Sequence, residues 1–201
     1  MRAITRLLVG CAVLVFVLAA WGVAAAGPLD APGYAKAFSC SACHGFGGNS
    51  RADSMPILAG VQPRYFRKSI EDYAAGRRPS AEMEPFARLV LQLGVDEMAN
   101  YFASQKREPS PIAVDPAAVE RGRAASGPCV ICHGADGTGD PARMIPDLRG
   151  QAPGFLRLQM VLFKQGQRSP GDDALKALKA LMRDIPDATL ADLAAYYSSR
   201  R

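Results

Sequence analysis

Four cysteines and two histidines form two copies of one short motif, and these residues are the best suited to chemistry in the chain. The sequence Cys-x-x-Cys-His-Gly begins at Cys40 and again at Cys129. The two histidines of the chain, His44 and His133, follow the second cysteine of each copy. A Cys-x-x-Cys pair is typical of a redox dithiol, of half a zinc site, or of the attachment point of a c-type haem.

A covalent haem is the chemistry that uses every residue of the motif. A structural zinc site needs four ligands, whereas each copy offers two cysteines and a histidine too close to the second cysteine to complete the same tetrahedron. A thioredoxin-like dithiol requires a βαβ context, which the sequence lacks. In a c-type haem site both thiols form thioether bonds to the haem, and the imidazole binds the iron. The sequence therefore predicts two covalently bound haems c, attached at Cys40, Cys43, Cys129 and Cys132, with His44 and His133 as axial ligands.

The first 26 residues have the layout of a secretory signal peptide. Arg2 and Arg6 precede an uncharged apolar run, and three alanines at 24–26 precede Gly27. The alternative is an uncleaved membrane anchor, because residues 7–26 carry no charge and are just long enough to cross a bilayer. The three small alanines at the end of the run are typical of a signal-peptidase site and favour cleavage before Gly27, which predicts a periplasmic protein.

The charge balance argues against a nucleic-acid partner. The full chain has 24 basic and 19 acidic residues, and removal of residues 1–26 takes away two arginines, which leaves a net charge of +3. Charges of both signs are interspersed along the chain, so they are typical of a solvated surface rather than of a basic nucleic-acid site.

The sequence around the two motifs is duplicated. The segments that begin at Met55 and Ile145 align without a gap, and they pair Pro56 with Pro146, Gly60 with Gly150, Tyr65 with Phe155, and Gly76 with Gly166. Between the copies, Lys106 to Pro116 contains three prolines, which is typical of a semi-rigid connection. We therefore expect an N-terminal domain over 27–108 and a C-terminal domain over 109–201.

Each copy predicts helices joined by loops rich in glycine and proline, so the expected fold is all-α. The apolar periodicity and the Pro and Gly signals predict helices over 31–43, 63–75 and 95–105 in the first copy, and over 116–132, 153–165 and 188–199 in the second. No convincing alternation of apolar and polar residues indicates a strand.

These features together resemble the dihaem cytochromes c of the cytochrome c4 type, which have two class I cytochrome c domains in tandem. The resemblance covers residues 27–201. It implies that a proline carbonyl accepts a hydrogen bond from each axial histidine, a role for which Pro56 and Pro146 have the matching positions. It also implies that Gly33 and Gly122 let the first helix of each domain cross closely against the last.

The resemblance further implies a methionine as the sixth ligand of each haem iron. Met83 matches the family's ligand position in the first copy. In the second copy, equivalent counting reaches Leu178 or Asp173, neither of which can serve, and the connection is longer. Met182 lies four residues past Leu178 and is the predicted ligand; the alternative is an open or differently ligated second haem.

Haems ligated by His and Met leave no open iron position, which suits one-electron transfer and disfavours catalysis. The resemblance implies a periplasmic electron carrier between a quinol-oxidising complex and a terminal oxidase or reductase. The alternative is a dedicated electron-transfer subunit of a dehydrogenase, of the flavoprotein sulfide or alcohol dehydrogenase type. A dihaem enzyme is disfavoured. Dihaem peroxidases are longer, and thiosulfate enzymes use a cysteine ligand, whereas every cysteine of this chain after the leader belongs to a Cys-x-x-Cys motif. Membrane association would come through a retained leader or through the partner.

Overall fold

A computed structural model describes residues 29–168 and 180–201. The proposed leader, together with Asp173 and Leu178, lies outside the described residues. Within these two ranges the regular structure is helical, apart from one isolated bridge between Asp140 and Ile145. The all-α prediction is therefore confirmed. No helix in the described part of the chain is long and apolar enough to cross a membrane.

The N-terminal half contains two short helices around the first motif and three longer ones after it. They are α1 (Tyr34–Ala37), α2 (Ser41–His44), α3 (Pro63–Ala74), α4 (Met83–Leu93) and α5 (Val95–Ser104). Helix α3 begins with Pro63, which has no N–H to leave unsatisfied in the first turn. It ends just before Gly76, whose φ of 69° interrupts the right-handed backbone.

The C-terminal half repeats this arrangement with a longer helix before the motif. Its helices are α6 (Pro116–Ala125), α7 (Gly127–His133), α8 (Pro153–Lys164) and α9 (Asp187–Ser199), and residues 180–183 are also helical. Helix α6 is capped by the Asp115 side chain, which accepts a hydrogen bond from the Ala117 N–H at 3.0 Å.

The predicted bounds of α3, α5, α8 and α9 are correct to within one residue, whereas the two helices expected before the motifs are not continuous. The predicted helix 31–43 is broken because Gly33 has a φ of 86°, so that α1 begins only after it, and a 3₁₀ turn separates α1 from α2. The predicted helix 116–132 is split at Ser126, because Pro128 cannot donate a backbone hydrogen bond to the preceding turn. Helix α4 was not predicted.

Each half buries its own apolar core. In the first half α3 packs against α4 and α5, while α1 packs against α5; in the second, α9 packs against α6 and α8. The first core is formed mainly by Phe66, Ile70, Val90, Met98, Tyr101 and Phe102, and the second by Leu156, Met182, Leu190, Leu193, Tyr196 and Tyr197.

The predicted close crossing of the first and last helices is confirmed in both halves. A Cβ atom built on Gly33 would lie 2.5 Å from the Glu97 carbonyl oxygen. One built on Gly122 would lie 2.1 Å from the Asp192 carbonyl oxygen. Real Cβ atoms do not approach oxygen so closely, so only glycine permits these helix contacts.

Hydrogen bonds join the linker to both halves and the two halves to each other. Asn49 bonds the backbone of Lys106 and Glu108, at 3.0 and 2.9 Å, and the Ser110 N–H donates to the Gly150 carbonyl at 2.7 Å. These bonds tie the first part of the linker to both halves.

Across the interface, the buried Gln151 side chain pairs with the backbone of Ile57. Its Oε1 accepts from the Ile57 N–H at 2.7 Å, and its Nε2 donates to the Ile57 carbonyl at 3.0 Å. The two halves therefore share a hydrogen-bonded interface rather than only a covalent connection.

Candidate haem sites

Short helices position both Cys-x-x-Cys-His motifs. In the first, Cys40 precedes α2, which contains Cys43 and ends at His44. In the second, α7 contains both cysteines and ends at His133. A glycine with positive φ follows each histidine and turns the chain away from the motif.

Each motif histidine has one ring nitrogen fixed by a proline carbonyl. Nδ1 of His44 lies 2.9 Å from the Pro56 carbonyl oxygen, and Nδ1 of His133 lies 3.1 Å from that of Pro146. Because a carbonyl oxygen can only accept, each Nδ1 carries the proton and each Nε2 keeps its lone pair. The carbonyl also sets the orientation of the ring.

The surroundings of the histidines favour the neutral imidazole. Burial lowers the pKa of His44, and the Pro56 carbonyl opposes that shift only in part. Burial likewise lowers the pKa of His133, against the opposing effects of Pro146 and Asp147. Neutral imidazole is the form that binds a metal ion.

The thiols do not have the properties of a redox dithiol or of a zinc site. Burial raises the pKa of the Cys40 and Cys129 thiols, whereas a reactive dithiol depends on a lowered one. All four motif cysteines are free of disulfides. Within the described ranges, no three His, Cys, Asp or Glu side chains converge on a point where a metal could bind.

A single cavity of about 1010 Å³ contacts both motifs. It reaches Cys40 and His44 from one half, and Cys129 and His133 from the other. Its volume is at the upper end of the range of about 300–1,000 Å³ for cofactor pockets. The cavity therefore brings together the two sets of residues that the sequence singled out.

Both predicted methionine ligands also line this cavity. Met83 is the first residue of α4 and packs against the first core. Met182 lies within the helical residues 180–183, is 6% exposed, and belongs to the second core. Met144 and Met160 reach the same cavity, so contact with the cavity alone does not single out Met182.

Two arginines that line the cavity were not predicted from the sequence as site residues. Arg78 is 3% exposed and Arg168 is 9% exposed, and both line the cavity. A signal was available, because each lies two residues after a paired glycine, Gly76 or Gly166, and the duplication therefore pairs them with each other.

Known proteins similar to the chain identify its family. Cytochrome c4 from Pseudomonas aeruginosa is 32% identical over 190 residues, which cover 91% of this chain and 94% of the relative. The chain belongs to the cytochrome c4 family. It is accordingly a dihaem cytochrome c that carries electrons rather than an enzyme, and it holds two covalently bound haems.

Further comparisons agree on the fold and include a relative with a different name. The crystal structure of reduced cytochrome c4 from Pseudomonas stutzeri superposes with a TM-score of 0.76 at 27% identity, over 84% of this chain and 97% of that one. The thiosulfate dehydrogenase electron acceptor of Stutzerimonas stutzeri is 30% identical over 180 residues. The match covers 81% of this chain and 79% of that relative. No protein-family model matches the chain.

The residues at the cavity fit a haem in each half of this cytochrome. Each half offers two free thiols, a neutral imidazole with its Nε2 available, and a methionine at the cavity. The buried guanidinium groups of Arg78 and Arg168 suit the anionic edge of such a group. The donor set thus agrees with the c-type haem that the family carries.

Proposed function

We propose that the cytochrome is a periplasmic electron carrier that accepts electrons from a quinol-oxidising complex and passes them to a terminal oxidase or reductase. The observation that carries this proposal is that one cavity contacts both haem-binding motifs. Two redox centres in one cavity allow an electron to enter at one half and leave from the other. The haem supplies the one-electron chemistry.

The side chains at the cavity take three roles in this proposal. Cys40 and Cys43 attach the first haem, and Cys129 and Cys132 attach the second. His44 and His133 would bind the irons through Nε2, with their rings held by the Pro56 and Pro146 carbonyls. Met83 and Met182 would supply the second protein ligand of each iron. A histidine and a methionine at each iron would leave no position for a substrate, which suits one-electron transfer.

The second candidate function is a dedicated electron acceptor of one dehydrogenase. The similarity to the thiosulfate dehydrogenase electron acceptor supports it. In that case the electrons come from oxidation of a small molecule by a partner enzyme, and the quinol pool takes no part.

Reduction kinetics distinguish the two candidates. The oxidised holoprotein is mixed with membranes whose quinones have been reduced, and the absorbance of the reduced haems is followed. Reduction that a quinol-oxidation inhibitor blocks, followed by reoxidation by the terminal oxidase, is the expected result. Reduction only when a purified dehydrogenase and its substrate are added would support the second candidate. Co-purification of that enzyme in stoichiometric amount would do the same.

A further inference from the structure

Arg78 and Arg168 come from opposite halves of the cytochrome and meet at one acceptor atom. Arg78 donates from Nε to Oε1 of Gln159 at 2.9 Å, and Arg168 donates from Nη1 to the same Oε1 at 2.8 Å. Arg168 also donates from Nη2 to the Tyr65 hydroxyl at 2.9 Å. The two positive charges therefore lie close together at the buried interface.

The arrangement of the two arginines reflects the duplication. Within its own half, the guanidinium of Arg78 lies 4.5 Å from the centre of the Tyr73 ring, and that of Arg168 lies 4.4 Å from the centre of the equivalent Phe163 ring. Across the interface, Arg78 faces Phe155, and Arg168 bonds Tyr65, which the repeat pairs with Phe155. Each arginine thus contacts equivalent positions of the repeat in its own half and in the other, although the contact across the interface is with a ring for Arg78 and with a hydroxyl for Arg168.

In the described part of the chain, no carboxylate balances the charge of this pair. Among residues 29–168 and 180–201, no Asp or Glu forms an ion pair with Arg78 or Arg168, and their acceptors are a neutral amide and a phenol. Burial, and next the neighbouring charge of Arg168, lower the pKa of Arg78.

Tyr65 responds to the same two charges. Burial alone raises the pKa of its hydroxyl, but Arg168 and Arg78 outweigh burial and lower that pKa to about 7. Burying an unpaired charge costs several kcal/mol per ion. An anion bound between the two guanidinium groups would offset that cost.

We propose that Arg78 and Arg168 form one anion site that binds propionate carboxylates of both haems and couples the two haems electrostatically. The proposal rests on the proposed haem attachment in both halves. Both arginines line the cavity that contacts the two motifs, and the propionates are the anionic groups that a haem brings into it. Arginine suits this role, because its planar fork donates two parallel hydrogen bonds to a carboxylate.

A shared site has a consequence that two separate sites would lack. A positive charge near a haem disfavours its oxidised, more positive form and raises its reduction potential. Because the two guanidinium groups lie at one point between the halves, loss of either charge lowers the potentials of both haems. An arginine that served only its own haem would change one potential.

The test measures both reduction potentials of the holoprotein by spectroelectrochemistry in Arg78→Gln, Arg168→Gln and the double variant. The matched control is Arg77→Gln, which removes the same charge from the residue before Arg78. The Arg77 side chain is 54% exposed and ion-paired with Asp72. Each single variant is expected to lower both potentials by more than the control does. The double variant is expected to differ from the sum of the singles, since the two residues share partners. A shift confined to one haem, or one no larger than in Arg77→Gln, would overturn the proposal.

Two further variants test whether other anions balance the pair. Tyr65→Phe, and the double change Asp172→Asn with Asp173→Asn in the segment outside the described residues, are each expected to leave both potentials close to those of the original protein. A rise of both potentials in either variant would identify that group as the counter-charge and overturn the propionate assignment.

Haem content separates this proposal from the one on which it rests. A pyridine haemochrome measurement on each variant is expected to give two haems per chain. Two haems with unshifted potentials contradict only the shared anion site, whereas fewer than two haems in the original protein contradict the proposed attachment. If Arg78→Gln does not load haem, Arg78→Lys replaces it: the charge is kept and the fork is lost, and a smaller fall of both potentials is expected. Unchanged potentials in Arg78→Lys would refute bidentate binding.

Discussion

Replacement of Gly122 by alanine tests the helix crossing that brings the ends of the second half together. The added Cβ would lie 2.1 Å from the Asp192 carbonyl oxygen and 2.8 Å from Cβ of Tyr196. Because both contacts are backbone or the base of a side chain, relief requires α6 and α9 to move apart. Overpacking of this kind costs about 1–3 kcal/mol, and a contact with a rigid carbonyl belongs at the upper end of that range. The higher helix propensity of alanine returns about 1 kcal/mol.

The expected result is therefore a free energy of unfolding lowered by about 2 kcal/mol. The assay is guanidinium denaturation of the holoprotein followed by far-ultraviolet circular dichroism. Gly127→Ala is the matched control, because this helical glycine has no atom within 4 Å of the built Cβ, and its free energy of unfolding should be unchanged or raised by up to about 1 kcal/mol through helix propensity. A Gly122→Ala protein as stable as the original, or stabilised by the propensity gain, would refute the close-crossing argument.

Two other predictions come from the structure and a third from the sequence. Met182→Ala should remove half of the weak near-infrared methionine–iron band and lower the potential of the second haem, while Met160→Ala should leave both unchanged; an unaltered band in Met182→Ala would show that this residue is only core. Gln151→Leu should lower the free energy of unfolding by about 2–4 kcal/mol, since the buried N–H and carbonyl of Ile57 lose their partners, and denaturation that matches the original would contradict that role. Intact-mass analysis of the exported protein should give Gly27 as the first residue, and a mass that includes residues 1–26 would support the anchored alternative.

Features with a local cause could be predicted from the sequence. Helices α3 and α8 begin with a proline and end before a glycine of positive φ. Both signals depend only on the residue type at one position, so the sequence is enough to predict these helix ends. The approach of Gly33 and Gly122 to the last helices was predicted from the family resemblance, and the duplication alone shows only that the two glycines are paired.

Features set by contacts between distant residues could not be predicted. Helix α4 exposes Phe86, Leu89 and Leu93 at the cavity, with exposed fractions of 53, 44 and 45%, so its apolar pattern does not follow a buried core face. The burial of Arg78 and Arg168 depends on how the two halves meet, and an arginine after a glycine is typical of an exposed loop. Only the pairing of the two arginines within the repeat hinted at a common role.

A redox titration of the purified holoprotein tests most directly that each half contains a haem that exchanges one electron. The oxidised protein is titrated with a calibrated reductant while the haem absorbance is recorded. We expect uptake of two electrons per chain, in two one-electron steps that together account for the full spectral change. Uptake of a single electron per chain, or a spectral change complete after the first, would contradict a dihaem carrier with one redox centre in each half.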